Sequence, residues 1–367
     1  MKALLTIILS FILTLNSGYS QNFEWAKGSD GTDGNMAYAV DADDFGNVYS
    51  TGHFQGSLTF GGQTFLSLGG TRDMYLAKHN SSGVLEWFQI IGTSLSYDNG
   101  LSIACGGNEV YVLGYVNSHL SLMKYNSTGG NIWTENVDNG SVTLFDFHEI
   151  EIDASGNCYI AGSFDGNATI GSATLNSFGG TDVFIAKYNS TGLFQWAKNG
   201  GGISSDEANG IGIDGIGDIY ITGNFRESAN FGSINLTTPA FTGASFIVKY
   251  DPSGSEIWGA KAGGTSYFDT RGIGVDQAGN SYITGSFKGN AAFGGIILTS
   301  TGNTDFFIAK YDNSGTIVWA KKESNFNNAI YGNAIKTELN GDSYIYMVIA
   351  IISTHNRRCI TCSRAAA

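Results

Sequence analysis

The sequence predicts an all-β protein, a β-propeller of about six four-stranded blades, from its composition, its repeats and its turns. The 367 residues include 52 glycines, 23 phenylalanines and 18 tyrosines but only 2 prolines. Aromatic residues favour strands and glycine favours tight reversals, so this composition indicates many short strands joined by turns.

The tryptophans mark a repeat. All 6 stand in one register, about 62 residues apart except for one interval of about 46 residues. They are Trp25, Trp87, Trp133, Trp196, Trp258 and Trp319. Before each of the last five, an apolar strand leads into a polar turn that ends in glycine. This regularity predicts a repeating structural unit rather than one continuous sheet.

The shortest repeat shows what the unit contains. Between Trp87 and Trp133, period-two alternation predicts four strands, but the segment that carries Phe60-Gly61-Gly62 in the first repeat is missing. The minimal unit therefore has four strands, and the extra segment is a short hairpin. Four-stranded units repeated radially form a propeller. A stacked solenoid is the alternative, although solenoid units usually span about 20 to 30 residues.

The ends of the chain depart from the repeat. The strand Phe23 to Lys27 precedes the first hairpin, which suits closure of the last blade, and the repeat register is lost at Met347. Five full repeats and an incomplete sixth remain. Either the tail supplies a last strand to a six-bladed ring, or the propeller is truncated. The expected division is a signal peptide at 1–20, the propeller at 21–352 and an irregular basic tail at 353–367.

The N-terminus predicts export. Lys2 precedes an apolar run from Leu4 to Leu15, which at about 12 residues is too short to span a bilayer. Cleavage after Ser20 leaves no membrane span and a secreted or cell-surface protein. The net charge of −13 argues against nucleic acid and anionic membranes as partners. An extracellular polysaccharide or protein is the expected partner.

One stretch carries a family resemblance. The segments Gly279 to Phe287 and Thr304 to Tyr311, followed by Trp319, resemble the SBBP-type β-propeller repeat of exported bacterial proteins, over about residues 22–346. The resemblance implies a secreted or surface protein, often from Bacteroidetes, and implies no particular activity. The chain also has a weaker resemblance to the tryptophan-docking repeat of quinoprotein propellers, which rests on Ala186, Thr191 and Trp196. In either family the indole packs against the neighbouring blade, which makes the tryptophans structural.

Two sets of repeated aspartates are candidate site residues. The first set opens an Asp-x-x-Gly-Asn/Asp turn, where a carboxylate bonds backbone N–H groups: Asp43, Asp153, Asp214 and Asp276. The second set begins the strand before the tryptophan turn: Asp73, Asp182 and Asp305. If that set lined a central channel, it could hold calcium. The alternative is a structural bond from each aspartate to a neighbouring loop.

Little in the sequence predicts catalysis. No nucleophile elbow, phosphate loop or metalloprotease motif is present, and the Cys-x-x-Cys pair Cys359 and Cys362 lacks further zinc ligands. No cofactor and no catalytic residue is expected. The predicted function is a non-enzymatic extracellular binding or structural module. The alternative is an enzyme at the mouth of the propeller, either glycan-cleaving or quinone-dependent. Convergence of acidic residues such as Asp165, Glu207 or Glu227 in one pocket would favour the glycan-cleaving enzyme.

Overall fold

The computed structural model describes most of the repeat region and short parts of the C-terminal segment. The described residues are 30–31, 34–69, 71–138, 149–239, 243–301, 304–323, 329–337, 343–350 and 362–365. They form strands and turns, and none belongs to a helix of the length and hydropathy that a membrane span needs. The predicted signal peptide, the strand around Trp25 and Cys359 lie outside the described residues.

The strands form one antiparallel four-stranded unit after another, and each unit is a blade. A short strand, β1 (Asp30–Gly31), precedes the first blade. Blade 1 contains β2 (Met36–Ala42), β3 (Val48–Phe54), β6 (Asp73–His79) and β7 (Leu85–Ile91). Blade 2 contains β8 (Asn99–Gly106), β9 (Glu109–Val116), β10 (His119–Asn126) and β11 (Asn131–Asn136). Blade 3 contains β12 (Glu149–Ile152), β13 (Cys158–Phe164), β16 (Asp182–Tyr188) and β17 (Phe194–Gly200).

Two further blades repeat this order, and a three-stranded sheet follows them. Blade 4 contains β18 (Glu207–Ile213), β19 (Ile219–Arg226), β22 (Gly243–Tyr250) and β23 (Glu256–Gly264). Blade 5 contains β24 (Phe268–Val275), β25 (Ser281–Phe287), β28 (Asp305–Tyr311) and β29 (Ile317–Glu323). The last sheet, blade 6, contains β30 (Ala329–Thr337), β31 (Ser343–Ala350) and β32 (Cys362–Ala365). The predicted class, an all-β propeller with four-stranded blades, is confirmed, and the number of blades in the ring stays a prediction.

The C-terminal segment is more regular than its composition indicates. The sequence predicts an irregular tail from residue 353, yet residues 362–365 pair with β31, with Tyr346 opposite Cys362. Strand pairing is decided by backbone hydrogen bonds, so basic residues do not prevent it. Of the two alternatives for the chain end, this pairing agrees with a tail that supplies a last strand.

Four hairpins extend the blades. They stand between the second and third strands of blades 1, 3, 4 and 5: β4 (Ser57–Phe60) with β5 (Gln63–Leu66), β14 (Asn167–Ile170) with β15 (Ala173–Asn176), β20 (Ser228–Phe231) with β21 (Ile234–Thr237), and β26 (Asn290–Phe293) with β27 (Ile296–Thr299). In blade 2, β9 passes directly into β10. The shortest repeat thus lacks the hairpin and keeps the four strands.

Each hairpin also reaches back to the preceding blade. β26 of blade 5 pairs with the end of β23 in blade 4, and single bridges join Gly201 to Asn230 and Asp138 to Ile170 at two other junctions. β1 pairs with β4 in the same way. β1 therefore takes the place of the end of a fourth strand, which is where an N-terminal segment that completes the last blade has to lie.

Side chains between neighbouring blades form the core. One cluster joins Leu122 of blade 2 to Ile160 and Phe184 of blade 3, and similar clusters join the other described neighbours. Near the centre, glycines let the first strands approach closely. A Cβ on Gly212 would lie 2.6 Å from Val275 Cγ2, and a Cβ on Gly274 would lie 2.1 Å from Thr337 Oγ1. Any larger residue at these two positions would push the strands apart.

The tryptophans connect each blade to the next. Four indole Nε1–H groups donate to a backbone carbonyl in the third turn of the following blade: Trp87 to Ser127 at 2.9 Å, Trp133 to Ser190 at 3.3 Å, Trp196 to Pro252 at 3.4 Å and Trp258 to Asn313 at 2.9 Å. Trp319 packs on Tyr282 and on a cluster that includes Ile335 of β30. Trp25 lies outside the described residues.

A lysine and a tyrosine complete this contact. The lysine pairs with the tryptophan across the strands, and its ammonium lies over the ring of a tyrosine in the second strand of the same blade. The Nζ to centroid distance is 4.9 Å for Lys124 on Tyr111, Lys187 on Tyr159, Lys249 on Tyr220 and Lys310 on Tyr282, and 5.6 Å for Lys78 on Tyr49. We call the Tyr, Lys and Trp of each blade the blade lock.

The blade lock predicts an unequal effect of two glycine substitutions. Gly315 (φ 80°) and Gly62 (φ 79°) have the same left-handed backbone, which costs an alanine about 1–2 kcal/mol. A Cβ on Gly315 would lie 2.7 Å from Trp258 Cδ2, whereas nothing lies within 4 Å of a Cβ on Gly62. Gly315→Ala should therefore lower the free energy of unfolding by about 1 kcal/mol more than Gly62→Ala. Urea unfolding followed by circular dichroism measures both, and equal losses would contradict the close contact.

Candidate functional site: the central channel

A cavity of about 1060 Å³ lies where the blades meet. Its lining includes residues from the first strand of every blade, namely β2, β8, β12, β18, β24 and β30, together with the turns that follow several of them. The first strands are therefore innermost, and we call them the inner strands and the cavity the channel. Ligand sites of propellers form at such a position because loops and strands of several blades converge there.

Six equivalent positions on the inner strands differ in charge. Each pairs with the lock tyrosine of its blade or with the matching tyrosine of β31: Asp41, Ala104, Glu151, Gly212, Gly274 and Lys336. We call them the channel ring. Three members are charged and three are small, so the channel ring breaks the repeat. A single asymmetric group of side chains is what a unique ligand requires.

The charged members of the channel ring meet one another. Lys336 Nζ lies 3.4 Å from Asp41 Oδ1 and 3.4 Å from Glu151 Oε1. These residues come from blades 6, 1 and 3, so the contact crosses the channel. The Lys336 side chain is 61% exposed, and an ion pair in contact with water contributes little to stability. The three groups are instead accessible to whatever enters the channel.

The channel walls alter the proton affinity of these groups. The carboxylates of Glu151 and Asp41 raise the pKa of Lys336, which keeps its ammonium charged. Desolvation raises the pKa of Glu151 in spite of the opposing pull of Lys336. The channel walls therefore leave room for few water molecules around the Glu151 carboxylate, although part of its surface is in contact with water.

A second glutamate stands on the same strand. Ser102 Oγ donates to Glu149 Oε2 at 3.1 Å. Desolvation raises the pKa of Glu149 to about 7, and the bond from Ser102 lowers it in part. A carboxyl group that titrates near neutral pH can both give and take a proton. Glu149 is an exposed residue outside the channel lining, so its proton exchange would take place apart from the charged group at Lys336.

Cys105 and Cys158 are weakly reactive. The sequence predicts Cys105 and Cys158 as buried thiols, and Cys158 is buried. Cys105 is partly exposed and lines the channel, where its backbone N–H donates to Asp41 Oδ2 at 2.9 Å. Desolvation raises the pKa of both thiols, so they stay protonated and are poor nucleophiles.

The channel lining is acidic and has no aromatic ring among the residues that the structure describes there. Its ionisable side chains, apart from Cys105, are Asp41, Asp44, Glu151, Asp153, Asp214, Lys187 and Lys336. Apolar groups stand near the mouth: Ile216, which lines the channel, is 75% exposed, and Phe45, next to Asp44, is 65% exposed. Walls of one predominant charge focus the electrostatic potential inside the cleft.

The first set of predicted aspartates lies in the turns after the inner strands. Each carboxylate accepts the backbone N–H groups two and four residues later, at 2.9 to 3.1 Å, in the turns of Asp43, Asp153, Asp214 and Asp276. The other oxygen accepts the lock tyrosine hydroxyl six residues on, as in Tyr220 to Asp214 at 3.0 Å. The turn and the blade lock therefore use these carboxylates.

The second set does not line the channel. Asp73, Asp182 and Asp305 are fully buried at the start of β6, β16 and β28. The predicted position in the channel is wrong, and the alternative is found instead, because the three aspartates accept backbone N–H groups of the preceding loops, from Leu68, Phe178 and Thr301 respectively. Nor does any group of three or more His, Cys, Asp or Glu side chains in the described ranges have the arrangement of a metal site.

The acidic residues that would favour a glycan-cleaving enzyme also lie elsewhere. None of Asp165, Glu207 and Glu227 is in the channel lining. The charged residues that do meet there, Asp41 and Lys336 among them, were not singled out from the sequence. What they share in the sequence is a position that pairs with a repeated tyrosine on the next strand. This position can be recognised only when the inner strands are aligned with one another.

Comparison with known proteins supports the propeller class and nothing narrower. No protein-family model matches the chain, so the SBBP-type resemblance and a bacterial source stay predictions. A curated relative, the uncharacterized WD repeat-containing protein L264 of Acanthamoeba polyphaga mimivirus, is 28% identical in an alignment 336 residues long, and the match covers 78% of this chain. The chain spans about a fifth of the length of that relative, 22%.

Several solved structures are similar at low sequence identity and with TM-scores below 0.5. The Dos1 propeller has a TM-score of 0.44 at 8% identity, covering 85% of this chain and 75% of that one. Kuenenia stuttgartiensis hydrazine synthase has a TM-score of 0.49 at 10% identity, covering 95% and 99%. An ulvan lyase of polysaccharide lyase family PL25 has a TM-score of 0.47 at 12% identity, covering 84% and 77%.

The Ser102 contact gives a testable prediction. Ser102→Ala should raise the pKa of Glu149 above its value in the unchanged protein, because the hydroxyl donates to the ionised carboxylate. The measurement is a pH titration of the labelled glutamate side-chain carbons by NMR. Ser163→Ala is the matched control, since Ser163 is a buried serine that bonds Ala208 instead. A pKa of Glu149 that stays the same or falls in Ser102→Ala would refute the assignment.

Proposed function

We propose that this chain is an exported, non-enzymatic β-propeller that serves as an extracellular binding module, and that its channel binds a basic segment of a protein partner. The observation that carries the proposal is the group of carboxylates Asp41, Asp44 and Glu151 in the channel lining, which outnumber the ammonium of Lys336, since the turns and the blade lock use the other charged side chains of the lining. An acidic cleft attracts a cationic ligand and raises its rate of association.

Lys336 illustrates the chemistry of the site. Its ammonium lies between Asp41 and Glu151, at 3.4 Å from each. A lysine or arginine side chain from a partner finds the same two carboxylates, and Asp44 extends the acidic surface towards solvent. The exposed Phe45 and Ile216 offer apolar contact to the rest of the segment.

Two features favour a protein segment over a polysaccharide. The apolar face of a sugar ring packs best on an aromatic side chain, and the described lining has none. Neutral and anionic polysaccharides also gain nothing from an excess of carboxylates. Export is supported by Lys2 and by the apolar run from Leu4 to Leu15, which has the form of a secretory signal.

A second candidate is a glycan-cleaving enzyme that uses the inner strand β12. The observation that favours it is Glu149, whose pKa is raised to about 7 and suits a general acid or base. The binding module is preferred because Glu149 lies outside the channel lining, and because Glu151, two residues further along the same strand, is already paired with Lys336.

Two substitutions in the channel should change the affinity for a basic peptide in opposite directions. Glu151→Gln should weaken binding of the best basic peptide about three- to fivefold, since a partly exposed ion pair contributes up to about 1 kcal/mol. Lys336→Met should strengthen binding, because it removes the internal competitor. The measurement is fluorescence anisotropy with a labelled peptide, selected from an array of lysine- and arginine-containing peptides that is screened beside a polysaccharide array.

The control has the same charge change outside the channel. Glu323 is exposed at the end of β29, and Glu323→Gln should leave the affinity unchanged. Higher salt should weaken the binding of the unchanged protein. Binding of polysaccharides alone would overturn the choice of partner, and turnover of a glycan that Glu149→Gln abolishes would overturn the non-enzymatic function.

A further inference from the structure

Two pairs of aspartates are buried where consecutive blades meet. Asp73 at the start of β6 lies beside Asp98, which precedes β8 of the next blade. Asp182 at the start of β16 lies beside Asp206, which precedes β18 of the next blade. All four residues are 0% exposed. We call them the blade 1–2 pair and the blade 3–4 pair. Buried carboxylates repel each other and lose hydration, so each pair needs a compensating charge or proton.

The two pairs share one backbone frame. In each pair, the backbone N–H of the second aspartate donates to the backbone carbonyl of the residue that precedes the first aspartate. The Oδ1 atom of the second aspartate accepts a backbone N–H from a residue at the end of the second strand of the same blade, or next to it. The bonds are Asp98 N to Arg72 O at 3.0 Å, Asp206 N to Thr181 O at 2.6 Å, Asn117 N to Asp98 Oδ1 at 2.8 Å, and Arg226 N to Asp206 Oδ1 at 3.1 Å. The same arrangement is therefore built twice.

In both pairs a glycine stands beside the facing oxygens. Gly92 (φ 140°) and Gly201 (φ 150°) directly follow the fourth strands of blades 1 and 3. A Cβ there would lie 2.2 Å from Asp98 Oδ2 and 3.0 Å from Asp73 Oδ1 in one pair, and 1.9 Å from Asp182 Oδ1 and 3.0 Å from Asp206 Oδ2 in the other. One oxygen of each aspartate thus faces a common point, which only a residue without a side chain leaves open.

One backbone N–H serves the two facing oxygens, joined in one pair by a serine hydroxyl. In the blade 1–2 pair, Thr93 donates its N–H to Asp98 Oδ2 at 3.0 Å and the Ser96 hydroxyl donates to the same oxygen at 2.9 Å, whereas Asp73 Oδ1 has no hydrogen-bond partner among the described residues. In the blade 3–4 pair, Gly202 donates its N–H to Oδ1 of the first aspartate at 3.0 Å, and Oδ2 of the second has none. A buried carboxylate oxygen without a partner is costly, so each pair lacks one positive group.

At two other junctions between blades, the strands have the same register but no aspartate pair is formed. Between blades 4 and 5, Ala244 replaces the first aspartate and Phe268 the second, so both acids are lost together. Between blades 5 and 6, Asp305 keeps the first place, Ile330 takes the second, and Lys322 Nζ lies 3.1 Å from Asp305 Oδ2. Where one aspartate stands alone, a cation compensates it.

We propose that each aspartate pair binds one divalent cation of the calcium type, held by the facing oxygens of both carboxylates. Calcium takes oxygen ligands and completes its shell with backbone carbonyls and water. The ion supplies the charge that Lys322 supplies between blades 5 and 6, and it fastens blade 1 to blade 2 and blade 3 to blade 4.

The experiment counts ions on the purified chain. After removal of metal with EDTA and exchange into buffer at pH 7.5, the protein is titrated with CaCl₂ by calorimetry. Two ions per chain are expected, with Kd on the order of 10⁻⁴ M, the range of extracellular calcium modules. At a large excess of calcium over Kd, the Tm should rise by roughly 5 °C relative to the EDTA sample.

Asparagine variants locate the ions. Asp98→Asn and Asp206→Asn should each reduce the count from two to one, and the double variant to none. Each variant should fold, because the new amide N–H₂ can donate to the facing aspartate. Asp305→Asn is the matched control, a buried aspartate in the same register that should leave the count at two.

Two outcomes would overturn the proposal. One is the absence of calcium binding with equal Tm in CaCl₂ and EDTA. The other is a Tm that rises as the pH falls from 8 to 5 without any effect of calcium. In that case a shared proton neutralises each pair, since a carboxyl whose pKa is raised on folding adds stability as it becomes protonated.

Discussion

The indole of a repeat tryptophan extends beyond its own blade to a backbone carbonyl of the next blade, and the order of the blades depends on that contact. At Trp258 the hydrogen bond to Asn313 is 2.9 Å long and the ring packs against Gly315. One such bond contributes about 1 kcal/mol, and a cation over a ring adds about 0.5–2 kcal/mol. Because the contact recurs at successive junctions, each blade is stabilised mainly by its neighbours, as in other repeat proteins.

In three blades the lysine of the blade lock is buried, and its charge explains the acidic residues around it. Lys249 is 3% exposed, and its Nζ lies 2.8 Å from Asp218 and 3.3 Å from Asp214. An unpaired ammonium at this depth would be far more costly than the pair. Asp214 also holds the turn after the inner strand through the N–H groups of Ile216 and Asp218. Turn formation and blade docking therefore use the same carboxylate.

Repetition and function make opposite demands on the inner strands. Close packing near the centre favours glycine, as at Gly212 and Gly274, whose missing side chains let neighbouring strands approach. In three other blades the same position carries Asp41, Glu151 or Lys336, and these side chains extend into the channel and meet there. The charged residues thus stand at positions where close packing favours glycine. Because only some blades carry them, they form an asymmetric site in a repeated structure.

The sequence by itself determined the repeat, the four strands of each blade and the turns. Alternation, glycine and turn-forming aspartate are local signals, so the turn of Asp153 and the hairpin missing between Trp87 and Trp133 were predictable from neighbouring residues alone. Only the tertiary structure decided that Lys336 lies between Asp41 and Glu151, because these residues are far apart in the chain and meet through the closure of the inner strands. Likewise, a repeated aspartate at the start of a strand indicates position in the repeat but not which face it occupies. Burial between blades, rather than in the channel, follows from how one blade packs on the next.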